Sequence, residues 1–502
     1  MKLKTWSGHV EDLDDYDTRS IIITPDLAAE VAEACLRLQI QSFHPNNYRL
    51  HLKLAFEFSI TLVDDCCSYF NKILTGKVVL PEALTASKLV ALNKPNGGVR
   101  PIAVSESITR LLAIVVFNRC KSSSINYLKD FQWGIGVVDG AACTVHAVET
   151  LLYKHSTKSA LLLDFSNAFN AIKRASILTS INNSPICSLF PYFHAQHSMN
   201  SKLIFHSYSV ASSSGVKQGD PLGPLLFCMA IHEIILKFKQ LFPGIDVVGY
   251  MDDLTLLGKS EELKVALPVF ADLAAGIGLM LNAKKCLFLC QEDVECPILN
   301  NIKIPTIDFR TDALCLLGAY IGFNDKVKEL LISLLTSFEN ELSTVSDFDI
   351  STQLKFSFLR CCYSSKFNHI FRSCPPSITL PFAQKYNAVR TKFVADLINV
   401  AKHNIHSHAF SSFNLGGIGL TRASILVKSA FLGGLRNFLF EFKLRFPNEI
   451  IENSSAPFSI EGKYLVDSLS DIYWARLFSS TSEVKEKKLS NLVFTFKKLQ
   501  NK

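Results

Sequence analysis

The chain has 502 residues, 48% of them hydrophobic and 19% charged, with a net charge of +7. That length suggests roughly three domains of ordinary size, and a core large enough to need neither disulfides nor metal staples. The composition excludes a largely disordered chain. From Val327 to the end there are 22 basic against 14 acidic residues, so the positive excess lies wholly in the C-terminal third. A surface of that sign suits phosphate, although a merely soluble basic face would read the same way.

No apolar run reaches the roughly 18 residues of a membrane span, and the N-terminus has no apolar signal core. The fourteen cysteines scatter, some as adjacent pairs (Cys66-Cys67, Cys361-Cys362). Reduced thiols of an intracellular protein are therefore expected, with no membrane partner. Cys286, Cys290 and Cys296 fit no zinc spacing.

In chain order, residues 1–25 read as a loose acidic tail and 26–85 as a helical N-terminal extension broken at His44-Pro45-Asn46-Asn47. Residues 86–93 read as a short strand ending in the turn Lys94-Pro95-Asn96-Gly97-Gly98, and Pro101 to Cys120 as a long apolar helix. Ser159 to Leu163 is a short apolar run ending at Asp164. Asp220 and Pro221 suit the cap and first position of a helix running to Phe238. Asp246 to Leu257 reads as two apolar strands with Met251-Asp252-Asp253 between them. Short strands and turns are expected over 279–326 and helices from 327 onward.

Two carboxylate sites stand out. Asp164 ends a buried run, and Asp252-Asp253 occupy the tip of an apolar hairpin. Such acids are costly unless something positive meets them, and divalent cations would resolve the conflict if the strands are neighbours. Each Asp taken alone could equally be a turn or cap residue.

In order along the chain, six segments resemble the reverse transcriptase family, in particular the polymerases of non-LTR retrotransposons. They are LVALNKPNGGVRPIAV (89–104), LLLDFSNAFNAI (161–172), GVKQGDPLGPLLF (215–227), YMDD (250–253), GLMLNAKKC (278–286) and LGAYIG (317–322). LGGIGLTRASILVKSAFLGG (415–434) looks like the segment that follows the palm in some of these elements. The resemblance implies an α+β right-hand polymerase. Fingers and palm would fill 86–326, the palm an antiparallel sheet with helices on one face. A helical basic thumb and C-terminal region would fill 327–502.

The resemblance further implies an RNA-directed DNA polymerase that takes an RNA template, a DNA primer and dNTPs. Asp164 and Asp252 would hold two Mg²⁺ ions, or Mn²⁺ in their place, with Asp253 supporting. Phe169 matches the aromatic gate against a 2′-hydroxyl. Lys94 and Arg100 match the cations that meet the triphosphate. Gln218 and Gly219 match the segment that holds nucleotide and template. Tyr250 falls beside the primer end, and Lys285 at the position of a proton donor to pyrophosphate. The Lys-rich tail (Lys485, Lys487, Lys488, Lys497, Lys498) would join the basic thumb along an RNA–DNA hybrid. With no endonuclease-like segment and no C-x2-C-x4-H-x4-C knuckle in the sequence, a polymerase-only fragment or a remnant is expected. A catalytically inactive or repurposed nucleic-acid-binding protein on the same fold is the alternative, and a polymerase making RNA is disfavoured by the ring at Phe169.

Overall fold

In the computed structural model the described residues run from 60 to 447, apart from 79, 94–96, 155–157, 198–200, 292–293, 402–404, 406–407, 413 and 415. The acidic tail, the extension up to residue 59, Lys94 and the Lys-rich tail lie outside them.

Helix α1 (Ile60–Leu74) and the single turn α2 (Glu82–Thr85) lead into a hairpin, β1 (Ser87–Asn93) and β2 (Val99–Ser105). The expected helix from Pro101 is thus a strand first. Pro101 sits on β2, the edge of a four-stranded sheet ordered β2-β1-β4-β5, where the ladder tolerates a residue without an N–H. Helix α3 (Ser107–Leu128) then begins, with Leu111 to Val116 all buried. Helix α4 (Gly140–Lys154) precedes β3 (Lys158–Leu163), which is followed by α5 (Ala168–Ala171), α6 (Arg174–Asn182) and α7 (Phe190–His197). The hairpin β4 (Ser201–Phe205) and β5 (Tyr208–Ser212) completes the first sheet and hands the chain to α8 (Gly223–Leu241).

The second sheet carries the acids. It comprises β6 (Asp246–Tyr250), β7 (Asp253–Lys259), β8 (Leu287–Cys290) and, after the small hairpin β9 (Ile298–Leu299) and β10 (Ile302–Lys303), β11 (Thr306–Asp308). Its order is β11-β8-β3-β7-β6, antiparallel except for the β11–β8 pair. Helix α9 (Ser260–Gly276) packs on β3 and β7 from one face and α4 packs on β3, β6 and β7. The sheet therefore carries helices on both faces rather than the one expected. The sequence says why: in its runs Leu161-Leu162-Leu163, Val247-Val248 and Leu256-Leu257 successive side chains are apolar, and successive side chains point to opposite faces. Leu161, Val247 and Leu256 join one buried cluster with α3, α8 and α9. Val248 and Leu257 join another with α4.

That second cluster continues into the C-terminal helices. The hairpin β12 (Ala313–Leu316) and β13 (Ala319–Gly322) turns at Leu317-Gly318, both left-handed. Helices α10 (Asn324–Asp347), α11 (Thr352–Ser357), α12 (Asn368–Ser373), α13 (Pro376–Leu397) and α14 (Ala423–Arg445) follow. By length and composition alone α14 could cross a membrane. Here its stripe Val427, Phe431, Leu435, Phe438 and Phe442 is buried, and it packs on α4, α12 and α13. Asp139 and Arg372 form an ion pair, and His146 bonds the Arg372 carbonyl at 3.1 Å, so charge and hydrogen bonding fix the same interface.

Candidate active site

Asp164 follows the last residue of β3, and Leu163 pairs with Leu254 of β7. Tyr250 pairs with Asp253 across the two-residue loop Met251-Asp252. Antiparallel pairing therefore delivers Asp164 to the end of the sheet where Asp252 and Asp253 stand. Burial is the main reason the Asp252 carboxyl holds its proton more tightly than usual; Asp164 adds to the shift and Arg100 opposes it. Asp253, at the more open rim, is raised to about 6 by desolvation, then by Asp252 and Asp164. Both shifts follow from burial and from like charges gathered at one end of the sheet.

The donor set is carboxylate oxygen with excess negative charge, which fits a hard divalent cation sharing its coordination with phosphate oxygens and water. Among the described residues no group of three or more His, Cys, Asp or Glu is placed to hold a metal ion. Cys286 lies buried beneath, its Sγ 3.4 Å from the Asp164 amide, and serves packing there.

Beside these acids lies a cavity of about 650 Å³ lined by Arg100, Phe169, Gln218, Gly219 and Asp252, among others. The structure thus brings five of the sequence-derived residues to one space. Asp164, Asp253, Tyr250 and Lys285 do not line it. Tyr250 is half-buried at the end of β6. Lys285 is exposed on a turn whose Asn282 amide bonds the Asp164 carbonyl at 2.8 Å. Phe169 stacks on Phe227 of α8, with centroids 4.8 Å apart. The Gln218 Oε1 is buried in the cavity wall with no hydrogen-bond partner, while its backbone carbonyl accepts from Ala103 at 2.7 Å. Gly219 has φ +113, and a Cβ there would sit 2.7 Å from the Ala103 carbonyl oxygen. Only glycine permits that approach.

The segment before α8 departs from the expected cap. Leu222 is the helix N-cap, and Asp220 instead accepts from the Leu222 amide at 2.9 Å. Burial raises the Asp220 pKa, opposed by Lys217 and Arg110. Both cations line the cavity. Lys217 donates to the Thr85 carbonyl at 2.5 Å and to Ser87 Oγ at 3.1 Å, and burial brings it down to about 8.

Sequence reasoning missed Gln132. Met251 has φ +57, a conformation that costs a non-glycine residue about 1–3 kcal/mol. The Gln132 side chain is buried beside it: its Oε1 accepts from the Met251 amide at 2.6 Å and from Gly134 at 3.0 Å, and its Nε2 donates to the Met251 carbonyl at 3.4 Å. Backbone bonds Trp133 to Gly249 (2.7 Å) and Gly249 to Phe131 (2.8 Å) fasten the same loop to β6. The acid-bearing turn is thus held from outside its own hairpin. The only signal in the sequence was a lone amide amid Phe131-Gln132-Trp133-Gly134.

Residues 92–330 match the family model described as reverse transcriptase (RNA-dependent DNA polymerase). The chain is similar to the retrotransposable element SLACS 132 kDa protein of Trypanosoma brucei gambiense, at 30% identity over 40% of this chain and 17% of that protein. It is also similar to the retrovirus-related Pol polyprotein from type-1 retrotransposable element R2 of Popillia japonica, at 24% identity over 70% of this chain and 52% of that one. Among solved structures it is similar to apo telomerase from Candida tropicalis, at 13% identity over 81% of this chain and 74% of that one, with a TM-score of 0.39. The matches span about half or less of the length of these curated relatives.

Proposed function

We propose, from the premise that residues 92–330 are a reverse transcriptase domain of the non-LTR retrotransposon type, that this chain extends a primer on an RNA template with deoxynucleotides. The 3′-hydroxyl attacks the α-phosphorus of a dNTP, a new phosphodiester forms, and pyrophosphate leaves. The observation that carries this reading is the meeting of Asp164, Asp252 and Asp253 beside a cavity walled by Arg100, Phe169 and Gln218.

Asp164 and Asp252 would hold two Mg²⁺ ions, with Asp253 adding negative charge behind them. When bound, such a pair activates the attacking hydroxyl and stabilises charge on the leaving oxygen. The remaining work is positioning and charge neutralisation by the protein. Arg100 faces the triphosphate, joined by Lys94, which lies outside the described residues. The unpartnered Gln218 Oε1 accepts a hydrogen bond from the nucleotide, which satisfies a buried polar atom as well as the ligand. Phe169 fills the space a 2′-hydroxyl would need. Tyr250 supports the primer end, and Lys285 supplies a proton to pyrophosphate from the edge of the cleft. The hybrid is held through its backbone by the basic C-terminal region, since base pairing carries the sequence information.

The test is primer extension on an RNA template with dNTPs and Mg²⁺, using wild type and Asp252→Asn. Extension by wild type alone is the expected result. Extension that survives the substitution removes the metal-binding role from Asp252. Hybrid binding with no extension by wild type favours a nucleic-acid-binding protein on the same fold.

A further inference from the structure

Arg174, at the start of α6, is nearly fully buried and donates four hydrogen bonds to one loop. Its Nε donates to the Gly215 carbonyl at 3.1 Å, its Nη1 to the Ser212 carbonyl at 2.6 Å, and its Nη2 to Ser212 Oγ at 2.7 Å and the Ser214 carbonyl at 3.4 Å. A buried guanidinium is costly unless its donors are met, and here they are met by the backbone that leads into Lys217 and Gln218.

The other edge of that loop is fastened to the segment bearing Phe169. The Val216 amide donates to the Phe169 carbonyl at 2.7 Å, the Gly215 amide to the Ile172 carbonyl at 2.8 Å, and Ser214 Oγ to the Asn170 carbonyl at 3.0 Å. Gly215 has φ +69, and a Cβ there would lie 2.5 Å from the Asn170 Cα. The two strips of backbone are therefore pressed together with no slack. Arg174 belongs to the chain that follows Phe169 yet grips the chain that precedes Gln218, so it locks together two walls of the cavity.

We propose that Arg174 is a positioning residue for sugar selection: it fixes the distance between the Phe169 ring and the Gln218 wall, and so sets how strictly a 2′-hydroxyl is refused. This rests on the reading of Phe169 as the gate. A rigid wall rejects an extra hydroxyl, whereas a wall free to retreat admits it. Nothing in the role requires Arg174 to touch the nucleotide.

The experiment compares kcat/KM for a dNTP and the matching rNTP in single-nucleotide extension by wild type, Arg174→Met, Arg174→Lys and Phe169→Ala. The dNTP preference is expected to fall about tenfold in Arg174→Met and further in Phe169→Ala, with Arg174→Lys between Arg174→Met and wild type because it keeps the charge and loses the fork. An equal loss for both nucleotides, or no change in the ratio, overturns the proposal, because a merely structural arginine would lower both alike. If Phe169→Ala leaves the ratio unchanged, the gate reading fails and this proposal fails with it; if only the Arg174 variants leave it unchanged, the gate stands without the clamp. Should Arg174→Met not fold, Arg174→Lys decides alone. Amide exchange at Gly215 and Val216 is read on the same proteins without turnover. Protection lost in Arg174→Met supports the clamp, and protection retained overturns it even in a chain that does not extend primers.

Discussion

The walls of the cavity and the C-terminal helices are built by different means. Around the cavity, polar groups are partly desolvated and set against one another: three repelling carboxylates, Lys217 and Asp220, a left-handed Met251, and backbone strips joined by Arg174 and Gln132. In the C-terminal region the joints are rings. Phe338 meets Tyr386 at 5.0 Å, Phe367 meets Tyr386 at 4.9 Å and Phe382 at 5.0 Å, and Arg390 lies 4.2 Å over Tyr386. Ring packing is a source of stability, whereas like charges gathered at one sheet end draw on it.

The sharpest way to break that contrast is Asp164→Asn. It is expected to cut primer extension by about 10⁴-fold, roughly 5.5 kcal/mol of transition-state stabilisation, while the melting temperature stays level or rises as one repelling charge goes. A fall in melting temperature comparable to that of a core substitution would mean that the acids are structural. Phe338→Ala should do the reverse. It should cost about 3–5 kcal/mol in a denaturant titration and leave extension per folded molecule unchanged. Next comes Gln132→Leu, which keeps the volume and removes the amide. A kcat lower by about tenfold with little change in dNTP KM is expected, since the turn that carries Asp252 loosens while the cavity walls remain. An unchanged kcat would show that the hairpin holds Met251 without help.

The smallest effect is a change of slope. Glu149 of α4 is buried against the C-terminal helices, and desolvation raises its pKa from 4.5 to about 8. Between those values the folded chain keeps a proton that the unfolded chain has released, so stability falls as pH rises through this window. His146, one turn away and brought down to about 4 by burial, acts in the opposite sense: it removes stability as pH falls from 6.5. Glu149→Gln should flatten the decline between pH 6.5 and 8 in urea melts and leave the acid limb to His146.

Much of this site was legible because its acids sit where apolar runs stop. Asp164 after Leu161-Leu162-Leu163 and Asp252-Asp253 between Val247-Val248 and Leu256-Leu257 mark strand ends in the spelling itself. The second helical face of the sheet was implicit in the same unbroken runs, which alternate with nothing polar. The strand at Pro101 was obscured because its apolar stretch, Pro101 to Val104, is too short to show a period, and pairing with β1 is what makes it a strand. Gln132 and Arg174 were out of reach for a different reason. Each acts on backbone far away in the chain, Gln132 on residue 251 and Arg174 on residues 212–215, and a backbone partner leaves no mark in the composition of either segment.

The buried cluster shared by the sheet and the C-terminal helices has a practical consequence for cutting the chain. The family match ends at residue 330, yet α14 lies on α4, and α4 lies on the strands that deliver the acids. Trimming at that boundary would strip the cover from Val145, Val148 and Leu152 and expose a greasy underside. A soluble minimal version is therefore expected to need the chain through Arg445, well past the end of the family match.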